Sequence, residues 1–279
     1  MKNLIIMAAG ASSRMKKSLN EVDLLSNIKK IASREHKTLI PLDKNGKSLL
    51  FYLCCNAKEA GYENIYILTS PENQVFKKWI EVNKLNPKII GINFFLPIQY
   101  IPIGRIRPIG TADGVKQVLE QFPKLIKNNF TVCNADNLYS VNVLKKLLFH
   151  KSSPNAIIAY DRSYLKFPEE KITKFALIRL DDNNFLNDIV EKPPIESHDS
   201  YRNKSNQLFV SMNIFSFRGA DIYPFLKKCI INVERDEKEL PEAVRSLVRS
   251  REKSMFSYKV KEHLKDLTSA HDINTFNKL

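Results

Sequence analysis

At 279 residues, the chain is long enough to bury a full hydrophobic core without disulfide bonds. The 44 lysine and arginine residues outnumber the 30 aspartate and glutamate residues, and the resulting net charge of +14 attracts anionic partners. These positive residues are scattered rather than gathered into a stripe with aromatic residues, so we do not expect nucleic acid to be a partner.

Neither the cysteines nor the apolar segments indicate export or membrane insertion. The four cysteines lie in apolar segments without CxxC spacing, which is typical of packed thiols in a reducing compartment. The apolar run at the N-terminus is short and is followed by Arg14, Lys16 and Lys17, which fits a strand better than a signal peptide. No window approaches the roughly 20 apolar residues that span a bilayer. We therefore expect a soluble, cytoplasmic protein with no membrane partner.

The first half of the chain alternates short apolar runs with helical patterns. Strands are predicted at 3–9, 64–69, 93–101, 130–134 and 156–160, and helices at 49–60, 71–82 and 111–122. This alternation is typical of a mostly parallel sheet with helices on both faces.

The pattern changes in the second half of the chain. Strand-like runs at 174–180, 185–191 and 208–217 are separated by turn residues rather than by full helices, which predicts added antiparallel strands. Further predictions are helices at 220–229, 240–249 and 270–276 and a strand at 255–260. The polar stretch 196–206 lacks periodicity and is predicted to be a mobile loop.

The first predicted strand runs into the segment MAAGASSRM at residues 7–15. Small residues let backbone N–H groups approach a polyphosphate, and Gly10 permits a sharp turn. Ser12 and Ser13 are hydrogen-bond donors, and the guanidinium of Arg14 can clamp phosphate oxygens. The segment is neither a Walker A loop nor a GxGxxG fingerprint, which argues against a P-loop ATPase and an ordinary dehydrogenase. A strand followed by a small-residue turn also occurs in proteins with no phosphate site.

Six later segments follow this loop in a fixed order. They are HKTLIPLDKNGKSLL, QYIPIGRIRPIGTADGV, TVCNADNLYS, IVEKPP, SMNIFSF and EHLKDLTSAHDI. Together with the loop, they resemble the motifs of the sugar-phosphate nucleotidyltransferase family over essentially the whole chain. The resemblance implies a Rossmann-like, three-layer αβα fold (GT-A-like), with a mostly parallel mixed sheet and added antiparallel strands in the C-terminal half. It also implies a single domain, 1–279, with a nucleotide-binding half at 1–150 and an acceptor-binding half at 151–279.

The implied reaction transfers a nucleoside monophosphate from an NTP to a phosphorylated small molecule, most simply a sugar phosphate, and releases pyrophosphate. Because two polyanions must meet, the reaction needs positive charge more than it needs a protein nucleophile. The resemblance assigns Arg14, Lys37 and Asp136 to catalysis, and Mg²⁺ to Asp136 and Asp266. As plainer alternatives, Asp136 could cap a turn and Asp266 could be a surface residue.

The resemblance also divides the binding residues between the two substrates. It assigns the nucleotide to Ala8, Ala9, Gly10, Ser12, Ser13, Gln99, Gly110, Thr111 and Asp113. It assigns the acceptor to Glu191, Lys192 and Asn213. In this interpretation Glu191 accepts hydrogen bonds from hydroxyl groups and Lys192 binds the acceptor phosphate, although the two residues could also form an ordinary surface pair.

Three departures from the family pattern bear on these assignments. A segment of about 20 residues separates Arg14 from Lys37, and His36 stands where the family has proline. The segment has a helical apolar pattern at Val22, Leu25 and Ile28, which predicts a lid or an additional helix. His36 itself is assigned no chemistry. The SMNIFSF segment also carries Ser211 where the family has asparagine.

Three other functions stay open at this point. The loop sequence GASS also occurs in relatives that transfer CMP to alcohol phosphates or GMP to molybdopterin. A phosphocholine acceptor would need groups that hold a quaternary amine, which Tyr160, Tyr164 and Phe167 supply unless they belong to the core. A glycosyltransferase predicts a DxD motif, whereas NADN has one aspartate. A regulatory homologue without catalysis is the third alternative. The oligomeric state is left open.

Overall fold

The protein is described by a computed structural model that covers residues 2–276. The strands are β1 (Asn3–Met7), β2 (Asn64–Leu68), β3 (Asn93–Phe95), β4 (Asn129–Asn134), β5 (Asn137–Leu138), β6 (Asn155–Asp161), β7 (Ala176–Leu180), β8 (Leu186–Val190), β9 (Phe209–Ser211), β10 (Ile214–Arg218), β11 (Met255–Val260) and β12 (Lys265–Asp266). The α-helices are α1 (Ser13–Lys17), α2 (Ser26–Arg34), α3 (Leu49–Ala60), α4 (Gln74–Asn83), α5 (Thr111–Gln121), α6 (Val141–Leu148), α7 (Glu169–Ile172), α8 (Gly219–Lys228) and α9 (Leu240–Ser250). Short 3-10 helices cover Ser18–Asn20, Lys37–Leu39, Pro123–Lys127, Arg162–Tyr164, Ile195–Tyr201 and Ala270–Phe276.

One mixed sheet organises the protein. Its strands follow the order β3-β2-β1-β4-β10-β6-β9-β7-β8, and β11 pairs with β6. Strands β3, β2, β1 and β4 are parallel, whereas β10, β9, β7 and β8 add antiparallel pairs. The expected mostly parallel sheet with antiparallel additions in the C-terminal half is confirmed.

Both faces of the sheet are covered by helices, and β1 shows why. Leu4 and Ile6 pack on the side of α3, α4 and α6, whereas Ile5 packs on the side of α5, α8 and α9. Successive side chains of a strand point to opposite faces, so a continuous apolar run fits only a strand buried on both sides. The result is the expected three-layer αβα arrangement.

Three predicted elements differ from the structure. The strand predicted at 93–101 ends at Phe95, and the chain then loops outward with one bridge between Thr69 and Ile98. The strand predicted at 208–217 is divided into β9 and β10, because Asn213 takes a left-handed conformation with φ of 52°. The mobile loop predicted at 196–206 is wrong in its first part, because Ile195–Tyr201 forms a 3-10 helix.

The segment between Arg14 and Lys37, predicted to be a lid or an additional helix, contains the helix α2. A third apolar cluster joins this segment to the C-terminal end of the described chain. Its buried members are Met15, Leu19, Ala32, Ile40, Leu42, Leu49, Leu267, Ala270, Ile273 and Phe276. Ile28 packs against the cluster, but Leu25 is 73% exposed, so the predicted apolar pattern is only partly buried.

The cysteines are packed thiols, as the sequence predicted. Cys54, Cys133 and Cys229 are buried and Cys55 is partly buried, all as free thiols. Burial raises the pKa of Cys54 well above its usual value, which keeps it a neutral packing residue. Within residues 2–276, no helix combines the length and apolar character needed to cross a bilayer.

The third cluster yields a prediction about stability. Ile273→Ala removes a buried side chain that holds the C-terminal segment, so we expect the free energy of unfolding to fall by about 2–5 kcal/mol. Val82→Ala truncates a side chain that is 72% exposed and serves as the control. Urea unfolding of both variants measures the difference. A loss equal to that of the control would show that the cluster does not stabilise the fold.

Candidate functional site

A cleft of about 600 Å³ opens where the parallel strands end. The register pairs Met7 with Leu68 and with Asn134, so β1, β2 and β4 finish at the same level. Ligands of open α/β sheets bind beyond such carboxyl ends. Among the residues predicted from the sequence, those lining the cleft are Ala9, Gly10, Ser12, Ser13, Arg14, Lys37, Gln99, Gly110, Thr111 and Asp136.

The loop after β1 forms one wall of this cleft. The buried Ala8 donates its N–H to the Leu68 carbonyl at 2.9 Å, which holds the start of the loop against β2. Ser12 adopts a left-handed conformation with φ of 56°, and α1 begins at the next residue. The Ser12 hydroxyl accepts the backbone N–H of Lys37 at 3.1 Å. The loop is thus tied to the turn that carries the lysine, while the Arg14 side chain is exposed at the cleft.

Lys37 and Asp136 meet directly. Lys37 Nζ lies 2.5 Å from Asp136 Oδ2, and both side chains are largely buried, with 13% and 19% of their surface exposed. Lys37 begins a 3-10 helix and Asp136 follows β4, so elements 99 residues apart in sequence bring this pair together. The long segment before Lys37 therefore does not displace the lysine from the cleft.

Asp266 lies near Asp136, although it is not among the described residues that line the cleft. The pairing of β12 with β5 places Asp266 opposite Asn137, whose side chain donates to Asp266 Oδ1 at 3.0 Å. Lys171 Nζ lies 2.6 Å from Asp266 Oδ2, and the Thr268 hydroxyl donates to the same oxygen at 2.7 Å. Burial raises the pKa of Asp266, and the nearby charge of Asp136 raises it further. The two carboxylates therefore share one electrostatic environment.

The predicted base-recognition stretch is fixed by close backbone contacts. Gln99 is buried and donates to the Gly110 carbonyl at 3.0 Å. A Cβ on Gly110 would lie 2.5 Å from the Lys238 carbonyl oxygen, and one on Gly114 would lie 3.0 Å from Gln99 Nε2. Glycine is therefore required at position 110, where the contacting atoms belong to the backbone, whereas a side chain at position 114 would displace the Gln99 side chain. The Thr111 hydroxyl accepts the N–H of Leu240, which adds a structural role to its place in the cleft.

Asp113 is in the same stretch but does not line the cleft. It is 2% exposed and accepts a hydrogen bond from Gln117 at 2.7 Å. Lys116 Nζ lies 3.0 Å from its other oxygen. The first turn of α5 turns this carboxylate away from the cleft, so the geometry gives it a helix-stabilising position rather than a nucleotide contact.

The residues predicted to bind the acceptor lie in a neighbouring pocket. This pocket, which we call the Glu191 pocket, has a volume of about 230 Å³ and adjoins the cleft through Glu237, which lines both. Glu191 and Lys192 follow β8 and line it, whereas Asn213 lies at the break between β9 and β10 and lines neither space. The Asn213 carbonyl accepts a long hydrogen bond from the buried Tyr139 hydroxyl at 3.4 Å.

Glu191 is electrostatically unusual. Its Oε2 atom is buried, and no described residue hydrogen bonds to it. Burial, and then the charge of Glu239, raise the pKa of Glu191 to about 7, against the opposing effect of Lys192. A carboxyl group with a buried, unpaired oxygen binds a hydrogen-bond donor or a cation more favourably than an exposed glutamate does.

The aromatic residues considered for a quaternary amine do not form a common wall. Tyr160 is fully buried in the core, and Tyr164 is 44% exposed with Lys261 over its ring. Phe167 packs edge-on against Phe175. Tyr160 is therefore a core residue, as the plainer interpretation expected.

Sequence reasoning missed several residues of this region. His36 lines the cleft, and its Nδ1 atom lies 2.9 Å from the Thr38 hydroxyl. Burial, and then the charge of Lys37, lower its pKa to about 4, so the ring is neutral near pH 7. Its position beside Lys37 was the signal that could have identified it. Glu237 and Lys171 gave no such signal, because each comes from a surface element far away in sequence.

Comparison with known proteins gives three results. A family model described as nucleotidyl transferase matches residues 27–274, a range that includes Lys37, Asp136 and Asp266 but not Arg14. Glucose-1-phosphate adenylyltransferase from Clostridium novyi (strain NT) is 23% identical over 197 residues, which are 69% of this chain and 48% of that protein. The chain thus spans about half the length of that relative. A crystal structure of UDP-glucose pyrophosphorylase complexed with UDP-glucose has a TM-score of 0.72 at 19% identity, covering 99% of this chain and 97% of that one.

The raised pKa of Glu191 predicts a pH-dependent stability. Between pH 4.5 and about 7 the folded protein binds the Glu191 proton more tightly than the unfolded chain, so Glu191 lowers stability as the pH rises through this window. We expect Glu191→Gln to match the wild type near pH 4 and to exceed it by roughly 2–3 kcal/mol at pH 8. Glu196→Gln changes an exposed carboxylate nearby and is the control. Urea unfolding at several pH values measures this, and parallel curves for the wild type and Glu191→Gln would contradict it.

Proposed function

Because the chain belongs to the nucleotidyl transferase family, we propose that it transfers a nucleoside monophosphate from an NTP to a small phosphorylated acceptor, with release of pyrophosphate. The observation that carries this proposal is the meeting of Lys37 with Asp136 in a cleft also lined by Arg14 and the loop after β1. This arrangement combines fixed positive charge with a carboxylate where the parallel strands end. We propose a sugar phosphate as the acceptor class, in keeping with the glucose 1-phosphate in the name of the similar adenylyltransferase.

The carboxylates fit a divalent cation such as Mg²⁺. Asp136 and Asp266 offer hard oxygen donors, and the charge of Asp136 raises the pKa of Asp266, so a cation between them would relieve their repulsion. Within residues 2–276 no group of three or more histidine, cysteine, aspartate or glutamate side chains forms a metal cluster. Two carboxylates suffice for Mg²⁺ when substrate phosphates complete its coordination. When bound, the ion supplies positive charge that offsets the repulsion between the two phosphate groups.

Two side chains of the protein supply the remaining positive charge around the reacting phosphates. In the reaction an oxygen of the acceptor phosphate forms a bond to the α-phosphorus while the bond to pyrophosphate breaks. Lys37 stabilises the charge on the α-phosphate, and Arg14 binds the β- and γ-phosphates through its planar guanidinium. The acceptor phosphate is already ionised at neutral pH, so no side chain has to remove a proton from it. The protein therefore acts by aligning the two substrates and by neutralising the negative charge of their phosphates.

Recognition of the nucleobase is proposed for the side of the cleft that carries Gln99. The Gln99 carboxamide is fixed by the Gly110 carbonyl and by close contact with Gly114, so its remaining polar groups have a set direction. A fixed amide can discriminate among bases because a mismatched base leaves it without a partner. The exposed loop residues Ile101 and Ile106 line the same cleft and offer apolar contact to a base or ribose.

The proposed function is tested by pyrophosphate release with Mg²⁺ and each of the four NTPs, paired with a panel of sugar phosphates and alcohol phosphates. We expect release with one NTP and a narrow set of acceptors. Asp136→Asn removes a carboxylate charge at the reacting phosphates and should lower kcat by at least about 100-fold. Asp182→Asn removes an exposed carboxylate and is the control. Tight NTP binding without pyrophosphate release for any pair would favour a regulatory protein instead.

A second prediction concerns the acceptor phosphate. Lys192 is exposed at the Glu191 pocket and has a φ of 46°, a strained conformation that holds its side chain beside this pocket. We expect Lys192→Ala to raise the KM for the acceptor about tenfold or more while the KM for the NTP changes little. Initial rates with each substrate varied in turn measure both constants. An unchanged acceptor KM would remove Lys192 from the acceptor site.

A further inference from the structure

The Glu191 pocket contains opposite charges that the fold does not neutralise. Its two arginines are already engaged, since Arg235 lies 2.7 Å and 2.5 Å from the carboxylate oxygens of Glu239, and Arg245 lies 2.8 Å from Asp188. By contrast, Glu191 and Glu237 form no ion pair with a described residue, and neither does Lys192. A ligand is therefore offered two free carboxylates and one free ammonium group.

The walls of the pocket limit the kind of ligand further. Its apolar lining consists of Ile189, Val190, Pro193, Pro194 and Ile230, and no aromatic ring is among the described residues that line it. A quaternary amine is held mainly by aromatic faces, whereas a primary ammonium group binds carboxylates through charge-assisted hydrogen bonds. The volume of about 230 Å³ suits a small molecule.

We propose that the acceptor carries a protonated primary amine, bound by Glu191 and Glu237, in addition to the phosphate bound by Lys192. The inference rests on the proposed function and narrows its acceptor class to amino sugar phosphates and phosphorylated amino alcohols. A neutral hydroxyl group would satisfy one hydrogen bond to Glu191 but would bring no positive charge to either carboxyl group. The amine takes no part in bond making: the phosphate oxygen attacks the α-phosphorus, pyrophosphate leaves, and the amine keeps its proton.

The test compares acceptors that differ only at the amine. Glucosamine 1-phosphate is compared with glucose 1-phosphate and with N-acetylglucosamine 1-phosphate, and phosphoethanolamine is compared with phosphocholine. We expect kcat/KM to favour the primary amine by about 10-fold to 100-fold, the range given by one charged hydrogen bond. Glu191→Gln should bring this ratio close to one, and Glu196→Gln should leave it unchanged. Equal or better turnover of the neutral and N-acetylated acceptors, or a ratio unaffected by Glu191→Gln, would overturn the inference.

A binding measurement separates this inference from the proposed function. Calorimetric titration of phosphoethanolamine and glucosamine 1-phosphate into the full chain, with and without Glu191→Gln, does not require turnover. Binding that depends on Glu191 without pyrophosphate release would support the amine site and refute the transferase activity. Turnover of sugar phosphates without preference for the amine would support the transferase activity and refute the amine site.

Discussion

The cleft exists because β1, β2 and β4 all end at the same level of the sheet. Parallel pairing fixes the register so that Met7, Leu68 and Asn134 are adjacent, and the chain must leave the sheet at that edge three times. Each exit exposes backbone groups and places a loop beside the other two. The loop with Arg14 and the turn with Asp136 therefore face one cleft. Gln99, which follows β3, joins them because its backbone N–H donates to the Thr69 carbonyl at the end of β2, at 2.8 Å.

Charge explains why the second half of the chain encloses this edge. Asp136 and Asp266 lie close enough for the charge of one to raise the pKa of the other, and such a pair is stable only with neighbouring cations. Lys37 supports Asp136, and Lys171 supports Asp266 while also lying 3.1 Å from Asp272. The short β12–β5 pairing and the third apolar cluster, which includes Ile273, hold the segment with Asp266 and Asp272 in place. The additional helix α2 thus contributes to the site indirectly, by packing the segment that carries Asp266.

The proposed acceptor site depends on a carboxyl group, that of Glu191, that has no ion-pair partner among the described residues. Glu191 is costly to ionise because burial and the charge of Glu239 raise its pKa, and Arg235, whose charge opposes this effect, is itself paired with Glu239. A buried carboxyl group without a hydrogen bond lowers stability, and such groups persist where a ligand supplies the missing partner. Glu237 connects the Glu191 pocket to the cleft, because it lines both spaces and can therefore contact a ligand in either.

Local apolar periodicity and short motifs in the sequence are enough to predict the layered fold, the loop after β1 and the segments that carry Lys37, Asp136, Asp266 and Glu191. The sequence also identified the additional helix between Arg14 and Lys37, without showing what the helix packs against. The folded structure was needed to show that Lys37 reaches Asp136 despite that helix, that Asp113 turns away from the cleft, and that Glu237 and Lys171 join the site. These outcomes depend on strand register and on contacts between elements far apart in sequence, such as the 99 residues between Lys37 and Asp136, and no local pattern in a single sequence specifies such contacts.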